Sequence, residues 1–416
     1  MPRSTASMFV LALAIVIAAR GAAAQQGSTS PAPTRAREMG LAALIGGTPG
    51  THDAITDVAG VEVGHMTLLR DAKTLGALVR GEGPVRTGVT VVHPRGKASN
   101  DPVFGAWFTL NGNGELTGTT WLQESGVLEG PIAITNTSSV GVVRDAILQW
   151  QVTRPGLQPW GLPLVGETFD GLLNDINGFH VTAAHAIAAL DGASGGRVVE
   201  GNVGGGTGMI CHGFKGGIGT ASRVLPASAG GYTVGVLVQC NYGSRSALRV
   251  AGVPVGDEIP DLVPCRTADV DNPWGITTRC DAPAASPRDH EELGSIIVVV
   301  ATDAPLLPHQ LKRIATRVSL GVGRMGGYGG NTSGDIFVAF STANPRSTGD
   351  EGVARVEMLP NARITPLFTA IVQATEEAIL NALLAAQTIT GANGIRVHAL
   401  PHDRLRAAMR KYGRMP

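Results

Sequence analysis

The run Tyr232-Thr-Val-Gly-Val-Leu-Val-Gln-Cys-Asn-Tyr-Gly-Ser244 carries the strongest structural and chemical signal in the chain. Residues 234–240 are apolar and rich in β-branched side chains, which predicts a buried strand that ends near a Gly-Ser step. Glycine leaves its carbonyl open and tolerates strained dihedrals, so the Ser244 hydroxyl can attack the Gly243 carbonyl in an N-to-O acyl shift. Hydrolysis of that ester would give Ser244 both a nucleophilic hydroxyl and a free α-amine. Taken alone, the dipeptide is more often an ordinary turn.

Length and composition describe a globular chain with a sizeable core. The chain has 416 residues, of which 43% are hydrophobic and 16% are charged, so one large α/β fold can bury enough apolar surface. Lysine plus arginine equals aspartate plus glutamate at 33 each. This balance gives no reason to expect nucleic acid or an anionic membrane surface as a partner.

The N-terminal residues have the layout of a secretory signal peptide. Arg3 precedes an apolar stretch at 8–19 and small residues at 21–24, and the apolar stretch is too short for a comfortable membrane span. The sequence therefore predicts a signal peptide over 1–25, a polar linker over 26–40, and a mature protein exported to the periplasm or the extracellular space. Removal of the signal peptide would leave the mature protein without a membrane attachment. The alternative is that the segment is not cleaved and serves as a membrane anchor.

The four cysteines fit an exported protein. Cys265 and Cys280 bracket a stretch that contains Pro, Asp and Trp, and a loop-closing disulfide between them is predicted. Cys211 and Cys240 lie among apolar residues, and we expect them to be small buried hydrophobic side chains. The chain has neither CxxC spacing nor a histidine cluster with ligand spacing, so no metal and no other cofactor is expected.

Strand-like and helix-like segments alternate along the chain, which indicates an α/β fold with helices layered on buried sheet. Short β-branched or aromatic runs predict strands, and apolar residues three and four apart predict helices. The predicted strands are 58–63, 88–93, 103–110, 132–135, 233–240, 295–302 and 335–341, and the predicted helices are 139–149, 308–319 and 366–387. Glu376 and Glu377 of the last helix are expected on a solvated face.

Eight strings, taken in order over most of the chain, form a specific pattern. They are Ile55-Thr-Asp-Val-Ala-Gly-Val-Glu-Val-Gly-His65, Arg86-Thr-Gly-Val-Thr90, Leu110-Asn-Gly-Asn-Gly-Glu-Leu-Thr-Gly118, Ile134-Thr-Asn-Thr137, Gly204-Gly-Gly-Thr-Gly208, Phe214-Lys-Gly-Gly-Ile-Gly-Thr220, Asn241-Tyr-Gly-Ser244 and Ser333-Gly-Asp-Ile-Phe-Val-Ala-Phe-Ser-Thr-Ala-Asn344. Together they resemble the DmpA/β-aminopeptidase family, which is peptidase family S58 (L-aminopeptidase D-amidase/D-esterase). The similarity runs from about residue 41 to about residue 383.

The resemblance implies an αββα layered sandwich of the N-terminal-nucleophile-like type, in which two sheets pack between helical layers. It implies one self-processing hydrolase domain over 41–416, cut into an α piece that ends at Gly243 and a β piece that begins at Ser244. Strands of both pieces would interleave, so neither piece is expected to fold alone. The resemblance also implies a homo-oligomer of such α/β units.

Ser244 is the predicted nucleophile for both self-cleavage and substrate turnover. Attack on an amide or ester carbonyl would form an acyl-enzyme on Ser244. Water would then release the acyl group while the α-amine moves the proton.

The tetrahedral intermediate needs hydrogen-bond donors for its oxyanion. The Gly-rich segment Gly204–Gly208, preceded by Asn202, is the first candidate, because glycine lets backbone N–H groups approach a ligand and an Asn amide is a neutral donor. A tight strand-helix turn explains this spacing equally well. The resemblance assigns an oxyanion amide to Asn202. It also implies a Tyr hydroxyl donor in some family members, but this chain has serines in the corresponding segment 135–139.

Two further polar residues are assigned to the catalytic machinery. Lys215, in an otherwise apolar string, is expected to hold a carboxylate or to lower the pKa of the α-amine by like-charge repulsion. The alternative for Lys215 is a surface turn. The resemblance implies a serine on the next strand as partner hydroxyl for the new amine, and Ser295 is the candidate, with an ordinary strand-edge hydroxyl as the alternative.

Recognition of a substrate ammonium group needs an anion and polar neighbours. Glu124 and Glu115 are the acidic residues nearest the matching strings, with Asn113 as a neutral helper, although exposed loops commonly carry such carboxylates. Asp335 is expected to cap a turn and to order the site from behind.

These predictions converge on an exported, self-cleaving serine aminopeptidase or amidase that releases N-terminal amino acids from short peptides, amides or esters. Two alternatives stay open. One is an acyltransferase of the ornithine-acetyltransferase type, against which Ser244 argues because that family begins its β piece with threonine. The other is an unprocessed peptide-binding relative without catalysis.

Overall fold

The apolar run around Leu237 forms a buried strand, Thr233–Asn241, at the centre of the molecule. Its side chains alternate between two cores, since Val236 and Val238 face one core and Leu237 faces the other. A strand buried on both faces needs a cover on each side, so the fold has layers above and below it.

The structure is a computed structural model that describes residues 35–73, 76–154, 160–282, 294–348 and 352–416. The predicted signal peptide and most of the predicted linker lie outside these residues.

Strands and helices alternate along the described part of the chain. The strands are β1 (Glu62–Arg70), β2 (Val85–His93), β3 (Val103–Gly112), β4 (Val127–Leu128), β5 (Ile132–Asn136), β6 (Leu164–Thr168), β7 (Ile210–Cys211), β8 (Phe214–Lys215), β9 (Gly217–Val224), β10 (Thr233–Asn241), β11 (Cys265–Arg266), β12 (Ser295–Thr302), β13 (Gly334–Ser341), β14 (Ile389–Thr390) and β15 (Ile395–Val397). The helices are α1 (Ala42–Ile45), α2 (Thr119–Ser125), α3 (Val140–Val152), α4 (Ala183–Asp191), α5 (Val255–Glu258), α6 (Pro308–Arg324), α7 (Thr365–Ala385) and α8 (His402–Lys411).

Two sheets form the inner layers of the fold. Within the described residues, one sheet has four strands in the order β1-β2-β5-β6, and the other has six in the order β4-β3-β13-β12-β10-β9. In the six-stranded sheet β12 and β13 run parallel, and the remaining neighbours are antiparallel. This arrangement places the ends of β3 and β10 beside the starts of β12 and β13.

Three apolar cores separate four layers. The first core lies between the two sheets and contains Ile134 and Leu237. The second packs the six-stranded sheet against α6 and α7, with Val318 and Ile371 among its members, and the third packs the four-stranded sheet against α3 and α4 around Val143. The order is helices, sheet, sheet, helices, so the predicted αββα sandwich is confirmed.

Most predicted elements are found within a few residues of their expected ends. The exception is the predicted strand 58–63, where the observed strand β1 starts at Glu62 and is buried only in its first part. The sequence also misses β6 and β9, whose apolar pattern glycine interrupts. Gly219 shows the reason for glycine in β9, because a Cβ atom there would come within 2.0 Å of the Ala378 carbonyl on α7.

The packed body of the protein begins before residue 41, which corrects the predicted linker boundary. Ala36 and Met39 are buried in the core between the six-stranded sheet and its helices. The guanidinium of Arg35 donates to the Thr220 carbonyl at 2.7 Å and pairs with Glu200 at 2.8 Å. The described residues from 35 onward form one compact unit.

Glu376 and Glu377 are buried, so the expectation of a solvated face is wrong. Glu377 pairs with Arg223 at 2.7 Å and with Arg37 at 2.9 Å, and Glu376 pairs with Arg324 at 2.6 Å. Burial raises the pKa of both carboxyls, while the guanidinium charges of Arg223 and Arg324 act in the opposite direction. The helix that carries them, α7, is apolar and long enough to cross a membrane by length and composition, but 78% of its most apolar window is buried inside the fold.

Both cysteine pairs form disulfides. The predicted bond between Cys265 and Cys280 is confirmed. Cys211 and Cys240 are buried as expected, but they are bonded to each other, which corrects their assignment as free hydrophobic side chains. The β7–β8 hairpin lies against the end of β10 and brings the two Cα atoms to 5.7 Å, a separation suited to a disulfide.

Candidate active site

The ends of neighbouring strands meet at one edge of the six-stranded sheet, and Ser244 lies just beyond them. β10 ends at Asn241, which pairs with Ser295 at the start of β12. Ser295 pairs in turn with Gly334 at the start of β13, and Gly334 pairs with Gly112 at the end of β3. This edge collects polar side chains from segments far apart in sequence, and it is the candidate active site.

The predicted nucleophile and its predicted partner hydroxyl lie at the same edge of the six-stranded sheet, since Ser295 pairs with the last residue of β10 and Ser244 follows that residue in the chain. Ser244 is half-buried and follows Asn241 by three residues. Ser295 is buried, with 4% of its surface exposed, on the strand next to Asn241. The chain before Ser295 passes very close to β10, because a Cβ atom on Gly294 would come within 1.8 Å of the Asn241 carbonyl. The catalytic roles of both serines stay predictions.

Asn241 fixes the end of β10 and was not singled out from the sequence. Its amide nitrogen donates to the Phe169 carbonyl at 3.1 Å, and its amide oxygen accepts from the Ile210 N–H at 2.8 Å. These two bonds tie the last residue of β10 to the segment after β6 and to the β7–β8 hairpin. The available signal was its place in the string Asn241-Tyr-Gly-Ser244.

Two of the predicted substrate-binding residues lie at this edge. The Asn113 amide donates to the Thr332 carbonyl at 2.7 Å, close to the start of β13. The side chain of Glu115 is exposed, and its backbone N–H donates to Glu167 Oε1 at 3.0 Å. Glu167 is buried and accepts a second bond from the Thr137 hydroxyl. Burial raises the pKa of Glu167. This acidic residue was not identified from the sequence.

Glu124 lies away from this edge. It is exposed on α2, whose Leu122 packs against Gly105 near the start of β3. The start of β3 is the opposite edge of the sheet from Gly112, since the chain doubles back between residues 112 and 119. Within one chain Glu124 is therefore remote from Ser244, and its assignment to the site is not supported by its position.

The Gly-rich segment and Asn202 are oriented toward other parts of the protein. Gly204–Gly208 forms a buried 3-10 turn, in which the N–H of Gly204 donates to the Thr67 hydroxyl and the N–H of Gly205 donates to the Thr90 hydroxyl. The amide of Asn202 makes two bonds with the backbone of Gln387, at 2.9 and 3.1 Å. The structural explanation of this turn is the better supported one, and an oxyanion role for Asn202 stays a prediction.

The ammonium group of Lys215 is hydrogen-bonded to that turn and to the residues that follow it. It is fully buried, which excludes the surface-turn alternative, and its ammonium donates to the carbonyls of Gly206, Met209 and Gly216 at 2.8 to 3.1 Å. Burial lowers the pKa of Lys215 to about 7, and the charge of Asp170 acts against that shift. The direct partners are carbonyls, so the expected carboxylate contact is replaced by a longer-range interaction with Asp170.

Asp170 and Asn136 form a buried polar cluster beside the site. Asp170 accepts from the amides of Asn136 and Asn174, each at 3.0 Å. Burial raises the pKa of Asp170 to about 6, so its charge changes close to neutral pH. Asn136 lies in the string that begins at Ile134, which is the sequence signal for this cluster.

Asp335 is buried near the start of β13, at the same edge of the sheet. Its expected role in ordering the site stays a prediction. Its carboxylate accepts from the Ser333 hydroxyl at 2.7 Å, and its N–H donates to the Asn111 amide oxygen at 2.8 Å. The bond to Asn111 joins β13 to the end of β3. Among the described residues, no group of three or more His, Cys, Asp or Glu side chains is placed to hold a metal ion.

Comparison with known proteins agrees with this fold. Residues 53–397 match the sequence profile of peptidase family S58. The chain is 54% identical over 397 residues to a β-peptidyl aminopeptidase, BapA, of Sphingosinicella microcystinivorans, with 94% of this chain and 95% of the relative covered. A second BapA, from Sphingosinicella xenopeptidilytica, is 47% identical over 390 residues and is covered to 92%, as is this chain.

Solved structures show the same architecture. A β-aminopeptidase of Burkholderia sp. is 48% identical with a TM-score of 0.78, covering 92% of this chain and 100% of that one. The L-aminopeptidase D-Ala-esterase/amidase of Ochrobactrum anthropi, described as a prototype for the serine aminopeptidases and a variant of the Ntn-hydrolase fold, is 43% identical with a TM-score of 0.80, covering 92% of this chain and 99% of that one.

The fold and the matched relatives define a serine aminopeptidase with the Ntn-hydrolase fold. The profile match covers most of the chain and the relatives match nearly all of it. The chain belongs to peptidase family S58, which confirms the predicted family and enzyme class. The relatives reported above are aminopeptidases, and none of them supports the acyltransferase alternative.

Proposed function

We propose that this protein cleaves itself between Gly243 and Ser244 and then uses Ser244 to remove N-terminal β-amino acids from short peptides and amides. The observation that carries the proposal is the position of Ser244, three residues after the end of β10, at the edge where the strand ends meet and where Ser295 pairs with Asn241. Relatives of 54% and 47% identity that bear the name β-peptidyl aminopeptidase support the β-amino-acid preference. An α-L preference is the second candidate, favoured by the name of the Ochrobactrum enzyme.

Self-cleavage and turnover use the same atoms of Ser244. In self-cleavage, Oγ attacks the Gly243 carbonyl carbon, the C–N bond breaks, and the Ser244 nitrogen gains the proton that Oγ loses. Water then hydrolyses the ester to give a Gly243 carboxylate and a free Ser244. In turnover, Oγ attacks the substrate carbonyl while the α-amine accepts its proton and passes it to the leaving amine, and water releases the acyl group.

Acidic side chains at the same edge supply the anion that a substrate ammonium group needs. Glu115 is exposed there and Glu167 lies behind it, joined through the Glu115 N–H. A β-amino acid places its ammonium group one carbon farther from the scissile carbonyl than an α-amino acid does. We propose Glu115 as the group that meets this ammonium from the outer side of the site.

Export and assembly belong to the same proposal. The signal-like residues 1–25 support export, and so do the two disulfides, since such bonds persist in oxidising compartments. Assembly into a homo-oligomer is supported only by the family resemblance.

Purified protein is expected to run as two fragments that meet at Gly243/Ser244. Each disulfide lies within one fragment, Cys211–Cys240 in the first and Cys265–Cys280 in the second. The fragments should therefore separate on a denaturing gel even without reductant, and intact-mass spectrometry would locate the cut. An intact chain that still hydrolyses peptide amides would overturn the self-cleavage mechanism.

The substrate preference has its own measurement on the same preparation. β-Alanyl p-nitroanilide should be hydrolysed with a kcat/KM at least about tenfold above that of L-alanyl p-nitroanilide, because a misplaced ammonium group loses its charged hydrogen bond. The reverse order would favour the α-L candidate while leaving the nucleophile assignment unchanged.

Glu115→Gln is expected to raise KM for β-alanyl p-nitroanilide by about tenfold or more with little change in kcat. The reason is that a hydrogen bond to a charged group contributes about 1.5–3 kcal/mol, and the amide keeps only a neutral one. Glu124→Gln is the matched control, since Glu124 is equally exposed but lies at the opposite edge of the sheet. Equal KM effects in the two variants would contradict the assignment.

A further inference from the structure

The tip of the β7–β8 hairpin lies on the bond proposed to be cut. The hairpin pairs Ile210–Cys211 with Phe214–Lys215 and turns through His212 and Gly213. Both turn residues have positive φ, 50° for His212 and 68° for Gly213, as a two-residue type I′ turn requires. The disulfide from Cys211 to Cys240 fastens the hairpin to the end of β10.

His212 holds the carbonyl groups on both sides of Gly243. Its backbone N–H donates to the Tyr242 carbonyl at 2.7 Å, and its Nδ1 lies 3.0 Å from the Ser244 carbonyl oxygen. A carbonyl oxygen only accepts hydrogen bonds, so Nδ1 carries the proton and donates. The Gly243 carbonyl, which is the one attacked, lies between these two anchored groups.

The imidazole ring of His212 also occupies the space in which a side chain at position 243 would lie. A Cβ atom on Gly243 would come within 2.3 Å of His212 Cε1 and 2.4 Å of Nδ1. Gly243 itself has φ of +91°, a conformation that glycine adopts readily and other residues do not. The ring is stacked edge-on against Tyr242 at 4.8 Å between centroids, so it cannot easily move aside.

The surroundings keep His212 neutral and in place. Burial, together with the positive charges of Arg245 and Arg249, lowers the pKa of His212 to about 4. With the proton on Nδ1, the buried Nε2 is the unprotonated nitrogen. Arg245 fixes the hairpin from the other side, since its guanidinium donates to the carbonyls of His212 at 2.9 Å and Gly213 at 2.7 Å.

We propose that His212 is a positioning residue for self-cleavage, holding the Gly243–Ser244 peptide in one geometry through its two hydrogen bonds and the contact of its ring with Gly243. This inference rests on the self-cleavage proposed above. His212 exchanges no proton in this role. It fixes the carbonyl oxygens of Tyr242 and Ser244, so that rotation of the scissile unit away from the Ser244 hydroxyl is restricted.

Two substitutions separate the donor from the turn geometry. Asparagine and glycine both accept positive φ, but only asparagine offers an N–H near the place of Nδ1. The half-time of processing of pulse-labelled precursor in cell-free translation should lengthen about tenfold for His212→Gly, because glycine keeps the backbone N–H bond to Tyr242 but loses the Nδ1 hydrogen bond to Ser244 and the ring contact with Gly243. His212→Asn should stay within about threefold of the parent chain.

The outcomes distinguish this inference from the proposed function. A parent chain that stays intact defeats self-cleavage itself, whereas a parent chain and a His212→Gly variant that process at equal rates overturn the role of His212. Equal slowing of the asparagine and glycine variants also overturns it, because the donor then makes no difference. Circular dichroism in the Ser244→Ala background reports folding. If the glycine variant is unfolded, the processing rate of His212→Asn alone tests the proposal. A rate within about threefold of the parent supports it, and a roughly tenfold slower rate overturns it.

Discussion

Ser244→Ala is expected to leave the 416-residue chain uncut and to lower kcat/KM for β-alanyl p-nitroanilide by at least about 10⁴-fold. The alanine variant lacks the hydroxyl that attacks in both reactions, and without the cut it also lacks the free α-amine that serves as base. Gel analysis and a continuous p-nitroaniline assay measure the two effects separately.

Ser246→Ala provides the control for this experiment, because Ser246 is also half-buried and lies two residues farther along. It should be processed normally and retain activity. A Ser244→Ala protein that turns over substrate at a rate near that of the parent would remove Ser244 from the mechanism.

Lys215→Met is expected to lower the free energy of unfolding by about 2 kcal/mol at pH 9, because the neutral amine present at this pH can donate two hydrogen bonds among three buried carbonyls, at about 0.5–1.5 kcal/mol each. Those carbonyls belong to Gly206, Met209 and Gly216. Urea denaturation of the uncut Ser244→Ala background measures the loss. Lys97→Met is the matched control, since Lys97 also donates to two carbonyls but is only half-buried, and its loss should stay below about 1 kcal/mol.

The difference in unfolding free energy between the parent chain and Lys215→Met should grow as the pH rises. Burial holds the pKa of folded Lys215 at about 7, below the ordinary value of 10.5. Between these values the unfolded chain binds a proton that the folded chain does not, so the parent gains stability as pH rises from 7 toward 10. The gap between parent and variant should therefore be smallest below pH 7 and grow above it. A gap that is flat with pH, or that narrows, would show that Lys215 keeps its charge in the fold.

Strands buried on both faces were the most predictable part of the fold. The segment 295–302 matches β12 at both ends because its β-branched run has no interruption. Outer and glycine-containing strands were less predictable. β1 is largely half-exposed and carries polar residues, and β9 has glycine where α7 approaches the sheet. Such contacts depend on the partner element, which a local pattern does not contain.

The candidate site was predictable where a residue stands in a strong string and unpredictable where only tertiary contacts define its role. Ser244 and Ser295 flank apolar strands, so their meeting at one sheet edge follows from the strand order. His212 and Glu167 gave no signal, because their importance comes from bonds to residues 32 positions away and 30 positions away. The position of Glu124 was unpredictable for a different reason, since Glu124 is close in sequence to a matching string but the chain reverses direction after residue 112.

Arg245 has a consequence for the chain start that self-cleavage would create. An N-terminal residue is ordinarily among the most mobile parts of a protein, and ordering a residue's backbone costs roughly 1–2 kcal/mol of conformational entropy. Arg245 follows Ser244 in the chain and is buried, and its guanidinium donates to the carbonyls of Ile259 and Leu262, both at 2.8 Å, as well as to the hairpin. The residue behind the new terminus is thus part of the rigid body before any cut is made. From the moment of cleavage, the freed amine and hydroxyl would have a high effective molarity toward a bound carbonyl, because only the torsion angles of Ser244 itself remain to be fixed.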